Sequence, residues 1–139
     1  MDIYEATQRL LTEAVPGVNV SAYVLTYDAE MDKYLLPDFP AVTYNYAGIT
    51  PIVAHNMSST LSRITLDVEV WGDLEQIAVN AQKVNKALNA KRVQIGNVEF
   101  TLVMMESRDI AELGLDFKRR YMRFTGLADI GEEHGDTSL

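Results

Sequence analysis

LSRITLDVEVWG, residues 61–72, alternates apolar and polar side chains along its length. Ile64, Leu66, Val68 and Val70 share one face, and Arg63, Thr65, Asp67, Glu69 and Trp71 share the other. A period of two is the signature of a strand with one buried face. The next residues change period. Gly72 turns the chain, Asp73 and Gln76 stand in capping-box spacing, and Leu74, Ile77, Ala78, Ala81, Val84 and Leu88 mark one stripe of a helix ending near Asn89. A strand feeding directly into a helix that must cover an apolar face decides the class: α+β, with helices packed on a sheet.

Upstream, Asp2 and Glu5 cap a first helix over residues 2–14, with Ile3, Ala6, Leu10 and Ala14 along one stripe, and Val15-Pro16-Gly17 stops it. VNVSAYVLTY (18–27) is β-rich and predicts a strand; DAEMDKYLLPDFP (28–40) predicts a charged loop broken by Pro37 and Pro40. AVTYNYAG (41–48) predicts a further strand. ITPIVAHNMSST (49–60) reads as an exposed connection with an edge strand, because Pro51 cannot donate to a ladder. Downstream come a strand in NVEFTLVMMES (97–107), a polar connection RDIAELG (108–114), and a final strand from about Leu115 to Leu127. The order is α-β-β-β-α-β-β, a mainly antiparallel sheet of about five strands with two helices on one face. Residues 1–128 form one domain. The stretch 129–139 is expected to be an acidic flexible tail that adds nothing to the fold, since it holds four carboxylates and no Lys or Arg.

The composition bounds the function. With 47% hydrophobic and 23% charged residues, 139 residues suit one ordinary globular domain. The absence of cysteine removes disulfides, thiolate metal sites and cysteine nucleophiles. The acidic N-terminus lacks an apolar run, and no stretch approaches the roughly 20 apolar residues of a membrane span, which predicts synthesis in the cytoplasm and no membrane partner. His55 and His134 are too few and too scattered for a metal centre. No phosphate-cradling glycine motif, nucleophile elbow or cofactor signature occurs, so no catalytic, cofactor-binding or metal residue is assigned.

Two charged features remain. Asp67 and Glu69, about 6.5 to 7 Å apart on one strand face, would serve as a carboxylate pair in a small ligand-binding or hydrolytic protein, or as ion-pair partners for Arg119, Tyr121 and Arg123 across the sheet. FKRRYMRFTG (117–126) packs Lys118, Arg119, Arg120 and Arg123 into a protein of net charge −8. A strand sends Arg119 and Arg123 to one face and Lys118 and Arg120 to the other, so they form no single patch for nucleic acid. The imperfect alternation predicts a bulge near Arg119 and Arg120 on an edge strand. The expected subunit contacts are therefore Lys118, Arg119, Arg120 and Arg123, the carboxylates Asp67 and Glu69, and the acidic loop residues Asp28, Glu30 and Asp32. Exchanging Arg119 and Arg123 for Glu is expected to break assembly and spare the fold. Of the adjacent Met104 and Met105, one is expected in the core and the other in a contact surface.

The succession LPDFPAVTYNY (36–46), SRITLDVEVWG (62–72), a helix ending KVNKALN (83–89) and ESRDIAELGLDFKRRYMRF (106–124) resembles the tail-terminator, or tail-completion, proteins of long-tailed bacteriophages over residues 2–127. The P-x-x-P-A-V-T-Y entry and the V-E-V-W-G strand end carry the likeness. The resemblance implies a structural, non-enzymatic virion protein without cofactor. It would form a ring, usually a hexamer, on the head-proximal end of a tail tube. Its partners would be other copies of itself, the major tail tube protein and the head connector, with DNA only passing through the ring. Another neck or head-closure component is the neighbouring reading.

Overall fold

A computed structural model of the chain describes residues 1–22, 26–35, 37–52, 61–111 and 118–131. Its elements are α1 (Ile3–Ala14), β1 (Asn19–Ala22), β2 (Thr26–Asp28), β3 (Lys33–Leu35), β4 (Ala41–Pro51), β5 (Leu61–Gly72), α2 (Leu74–Leu88), β6 (Lys91–Ile95), β7 (Val98–Ala111) and β8 (Lys118–Ile130). Six strands form one sheet in the order β1-β4-β5-β8-β7-β6, and β2 and β3 pair as a separate antiparallel ribbon. Every neighbour pair of the main sheet is antiparallel except β1 with β4.

Both helices start as their sequences require. The Asp2 carboxylate accepts from the Glu5 amide, and Asp73 and Gln76 cap each other reciprocally. Ile3, Ala6, Thr7, Leu10 and Leu11 of α1, and Ile77, Asn80, Ala81, Val84 and Leu88 of α2, turn inward. Leu74, at the first helical position, lies outside that stripe and faces solvent. The helices cover the face carrying Ile64, Leu66, Val68 and Val70 of β5, Val42, Tyr44 and Tyr46 of β4, Met122 and Phe124 of β8, and Phe100 and Leu102 of β7. Burying each such side chain contributes roughly 1.5 to 3 kcal/mol, so this single layer of contacts holds the sheet together.

Several sequence expectations shift. The chain from 28 to 40 is not all loop, since β2 and β3 form a hairpin there. AVTYNYAG continues to Pro51 as one strand, with a register shift between Tyr46 and Gly48. KRVQI, unassigned in sequence, is β6, closed onto β7 by Gly96 at a positive φ of 58°. RDIA is not a connection but the end of β7, because each of those residues meets a partner on β8. The main sheet therefore has six strands.

The last strand departs most from expectation. β8 is not an edge; it runs between β5 and β7 in unbroken register with β5 from Lys118–Gly72 to Asp129–Leu61. The bulge lies on β7, between Met104 and Glu106, and not at Arg119 and Arg120. Gly126 shows how tightly β8 is held: a Cβ there would overlap the carbonyl oxygen of Thr101. Strand pairing also reaches past residue 128. Ile130 pairs with Val98, the Gly131 amide donates to the Asn97 carbonyl at 2.8 Å, and Asn97 Nδ2 returns a bond to the Gly131 carbonyl at 2.8 Å.

Candidate functional site

The helix-free face of the sheet carries the charged residues singled out above, and the β5–β8 register sets them opposite one another: Asp67 with Arg123, Glu69 with Tyr121, Trp71 with Arg119. Arg123 grips Asp67 with two donors, Nε to Oδ1 at 2.8 Å and Nη2 to Oδ2 at 3.0 Å, while the Tyr121 hydroxyl donates to Oδ1 at 2.8 Å. Arg119 Nη1 donates to Glu69 Oε2 at 2.9 Å and its guanidinium lies 5.1 Å from the Trp71 ring centre. Arg108 and Arg123 both approach the Tyr121 ring, at 5.3 and 5.8 Å. Asp67 and Glu69 side chains are about four-fifths covered, so these bonds form in a partly dehydrated layer where charge-assisted pairing is strong.

The electrostatics follow from that geometry. Hydrogen bonds to Asp67 raise the Arg123 guanidinium above its ordinary value. Burial pushes the Tyr121 phenol up to about 12, and its donation to Asp67 adds to the effect. Asp67 accepts three bonds from its neighbours, which leaves it poorly placed to take a proton from a substrate. The cross-strand pairing expected from sequence is what the register produces.

Trp71, expected on the polar face, is on that face yet buried. Its Nε1–H donates to the Thr43 hydroxyl at 2.9 Å, and Phe39 stacks on the indole with ring centres 6.0 Å apart. Arg120 points to the opposite face, as the period requires, and its Nε donates to Asp109 at 2.8 Å. Lys118 opens β8 opposite Gly72. Asp28 pairs with Lys33 in the β2–β3 ribbon; Glu30 and Asp32 are exposed in its turn, Asp32 at a φ of 51°. Met104 packs against the core, as expected of one of that pair, and Met105 stands exposed on the bulge. His55 and His134 lie outside the described residues. Among the described residues no group of three or more His, Asp or Glu is arranged to hold a metal ion, and no helix is long and apolar enough to cross a membrane.

A second surface escaped the sequence reading. Tyr4, Glu5, Gln8 and Arg9 of α1 and Tyr44 of β4 line a shallow open depression. The Tyr44 hydroxyl donates to Gln8 Oε1 at 3.0 Å, and Gln8 Nε2 reaches the Val20 carbonyl at 2.8 Å, tying α1 to β1. The spacing of Tyr4 and Gln8, one helical turn apart, was the available signal.

No protein-family model and no curated protein matches the chain. Its fold, however, occurs in a virion. A chain of the solved structure described as "Virion of native gene transfer agent (GTA) particle" superposes with a TM-score of 0.64 at 12% sequence identity, over 91% of this chain and 94% of that one. The likeness extends across nearly the whole of both chains.

Proposed function

We propose that this chain is a structural virion protein that caps the head-proximal end of a phage tail tube as a ring, ends tube polymerisation and joins the tail to the head connector. The observation that carries the reading is the near full-length fold match to a virion chain. The helix-free face supports it. Its carboxylates are held by Arg119, Tyr121 and Arg123, an arrangement suited to a rigid scaffold better than to turnover of a substrate. The ring is proposed to be a hexamer of identical subunits, in contact with the tube protein below and the connector above, with DNA passing through its centre.

Gold-labelled antibody against the protein, viewed by electron microscopy on purified particles, tests this. Label is expected at the junction of head and tail, and particles made without the protein are expected to carry overlong, headless tubes. Label confined to another part of the particle, or tubes of normal length joined to heads, overturns the assignment.

A further inference from the structure

The main sheet has two stepped edges, and the steps run in opposite senses. On one edge β1 covers β4 only from Ala41 to Tyr44, at the Trp71 end of β5; among the described residues the remainder of β4, to Pro51, has no strand outside it. On the other edge β6 covers β7 only from Val98 to Leu102, at the Leu61 end, Asn89 Oδ1 caps the Met104 amide at 2.8 Å, and from Met105 to Ala111 no strand lies outside β7 among the described residues. A bulge lies near the start of each open half, between Tyr46 and Gly48 on β4 and between Met104 and Glu106 on β7. Each also exposes a large apolar side chain, Ile49 at 40% and Met105 at 64%. An open strand edge is a template for another chain, and bulges are placed where pairing is redirected.

We propose that these edges pair head to tail between copies of this chain: β1 of one copy enters the open half of β7 on the next, while β6 of that next copy enters the open half of β4 on the first. The lengths agree. β1 has four residues against the seven from Met105 to Ala111, and β6 has five against the seven from Asn45 to Pro51. The strand directions give an antiparallel β1–β7 contact and a parallel β6–β4 contact, both ordinary pairings. Pro51 fits at the far end of such a contact, where its missing N–H costs least. The inference rests on the ring reading, because a closed ring of more than two copies needs a contact between two different surfaces.

The chain contains no cysteine, so introduced thiols are unique. Ser21→Cys with Arg108→Cys places one thiol on each side of the first contact, and Thr50→Cys with Gln94→Cys does so for the second. Within one copy β1 and β7 are four strand spacings apart, about 19 Å, beyond the reach of a short bismaleimide. Each double variant, treated with that reagent at high concentration, is expected to give a ladder of covalent oligomers, lost in every single-cysteine variant. Dimers from single variants as strong as the ladder would show like edges meeting and overturn the proposal. A ring seen by native mass spectrometry without a ladder in either pair also overturns it while leaving the ring reading intact. A chain that stays monomeric with no ladder overturns the edge pairing too, and the ring reading is then decided by particle imaging.

Discussion

Tyr46 and Tyr121 show how single hydroxyls are placed. Thr7 donates its one proton to the Ile3 carbonyl, so the buried Tyr46 hydroxyl must donate to Thr7. Thr7→Val is therefore expected to strand that hydroxyl and lower stability by about 1 to 3 kcal/mol, read from urea denaturation midpoints. Burial also pushes the Tyr46 phenol upward. Tyr121 adds a pH dependence. Its folded-state value of about 12 lies above its ordinary 10.0, so the fold favours the protonated form. That stabilisation is fully present below about pH 10 and is lost as pH rises through about 12. Tyr121→Phe is expected to be less stable than the parent at neutral pH, with the gap narrowing in alkali; a gap independent of pH would show that the phenol is not shifted in the folded chain. Periodicity placed Tyr121 on the right face. It said nothing of the hydroxyl's partner, which depends on strand register.

At the scale of elements, the β5–β8 ladder pairs two of the cations that stood out in the sequence, Arg119 and Arg123. Arg119 and Arg123 face Glu69 and Asp67 inside one chain, so the double exchange to Glu would set four carboxylates together in a partly covered layer. The expected cost is about 3 kcal/mol or more, seen as a lower thermal midpoint of the isolated protein, in place of the assembly-only defect that the sequence suggested. Gly126→Ala is expected to cost about 1 to 3 kcal/mol through overpacking against Thr101, with the loss of amide protection centred on β7 and β8. β5 and both helices were legible in the sequence because period and caps are local signals. The central place of β8 was not legible. Its charges mimic an edge, and only long-range pairing with β5 and β7 shows that Asp67, Glu69 and Asp109 neutralise them. β6 escaped for a related reason: its five residues carry Lys91, Arg92 and Gln94, and they form a strand by adding to β7.

For the whole molecule, Arg119, Arg120 and Arg123 are each paired within the chain and do not stand free to offset the net charge of −8. Submicromolar affinity for duplex DNA at physiological salt is not expected, and a fluorescence anisotropy titration checks it. The acidic end divides in two. Asp129 and Ile130 belong to β8 and Gly131 bonds to Asn97, whereas residues beyond 131 lie outside the described part. Removing residues 130–139 is expected to lower the melting midpoint, because the Ile130 pairing and both Asn97 bonds go with it, and removing only 132–139 is expected to spare them. Equal midpoints for the two truncations would show that Ile130 and Gly131 add nothing.

The position of β8 also bears on how the chain is made. β8 joins the two halves of the sheet yet follows both in the chain, so until residue 130 has been synthesised β5 and β7 cannot be bridged. A nascent chain must hold those two apolar strand edges apart until then. Closure is slow, because it is set by contacts far apart in sequence.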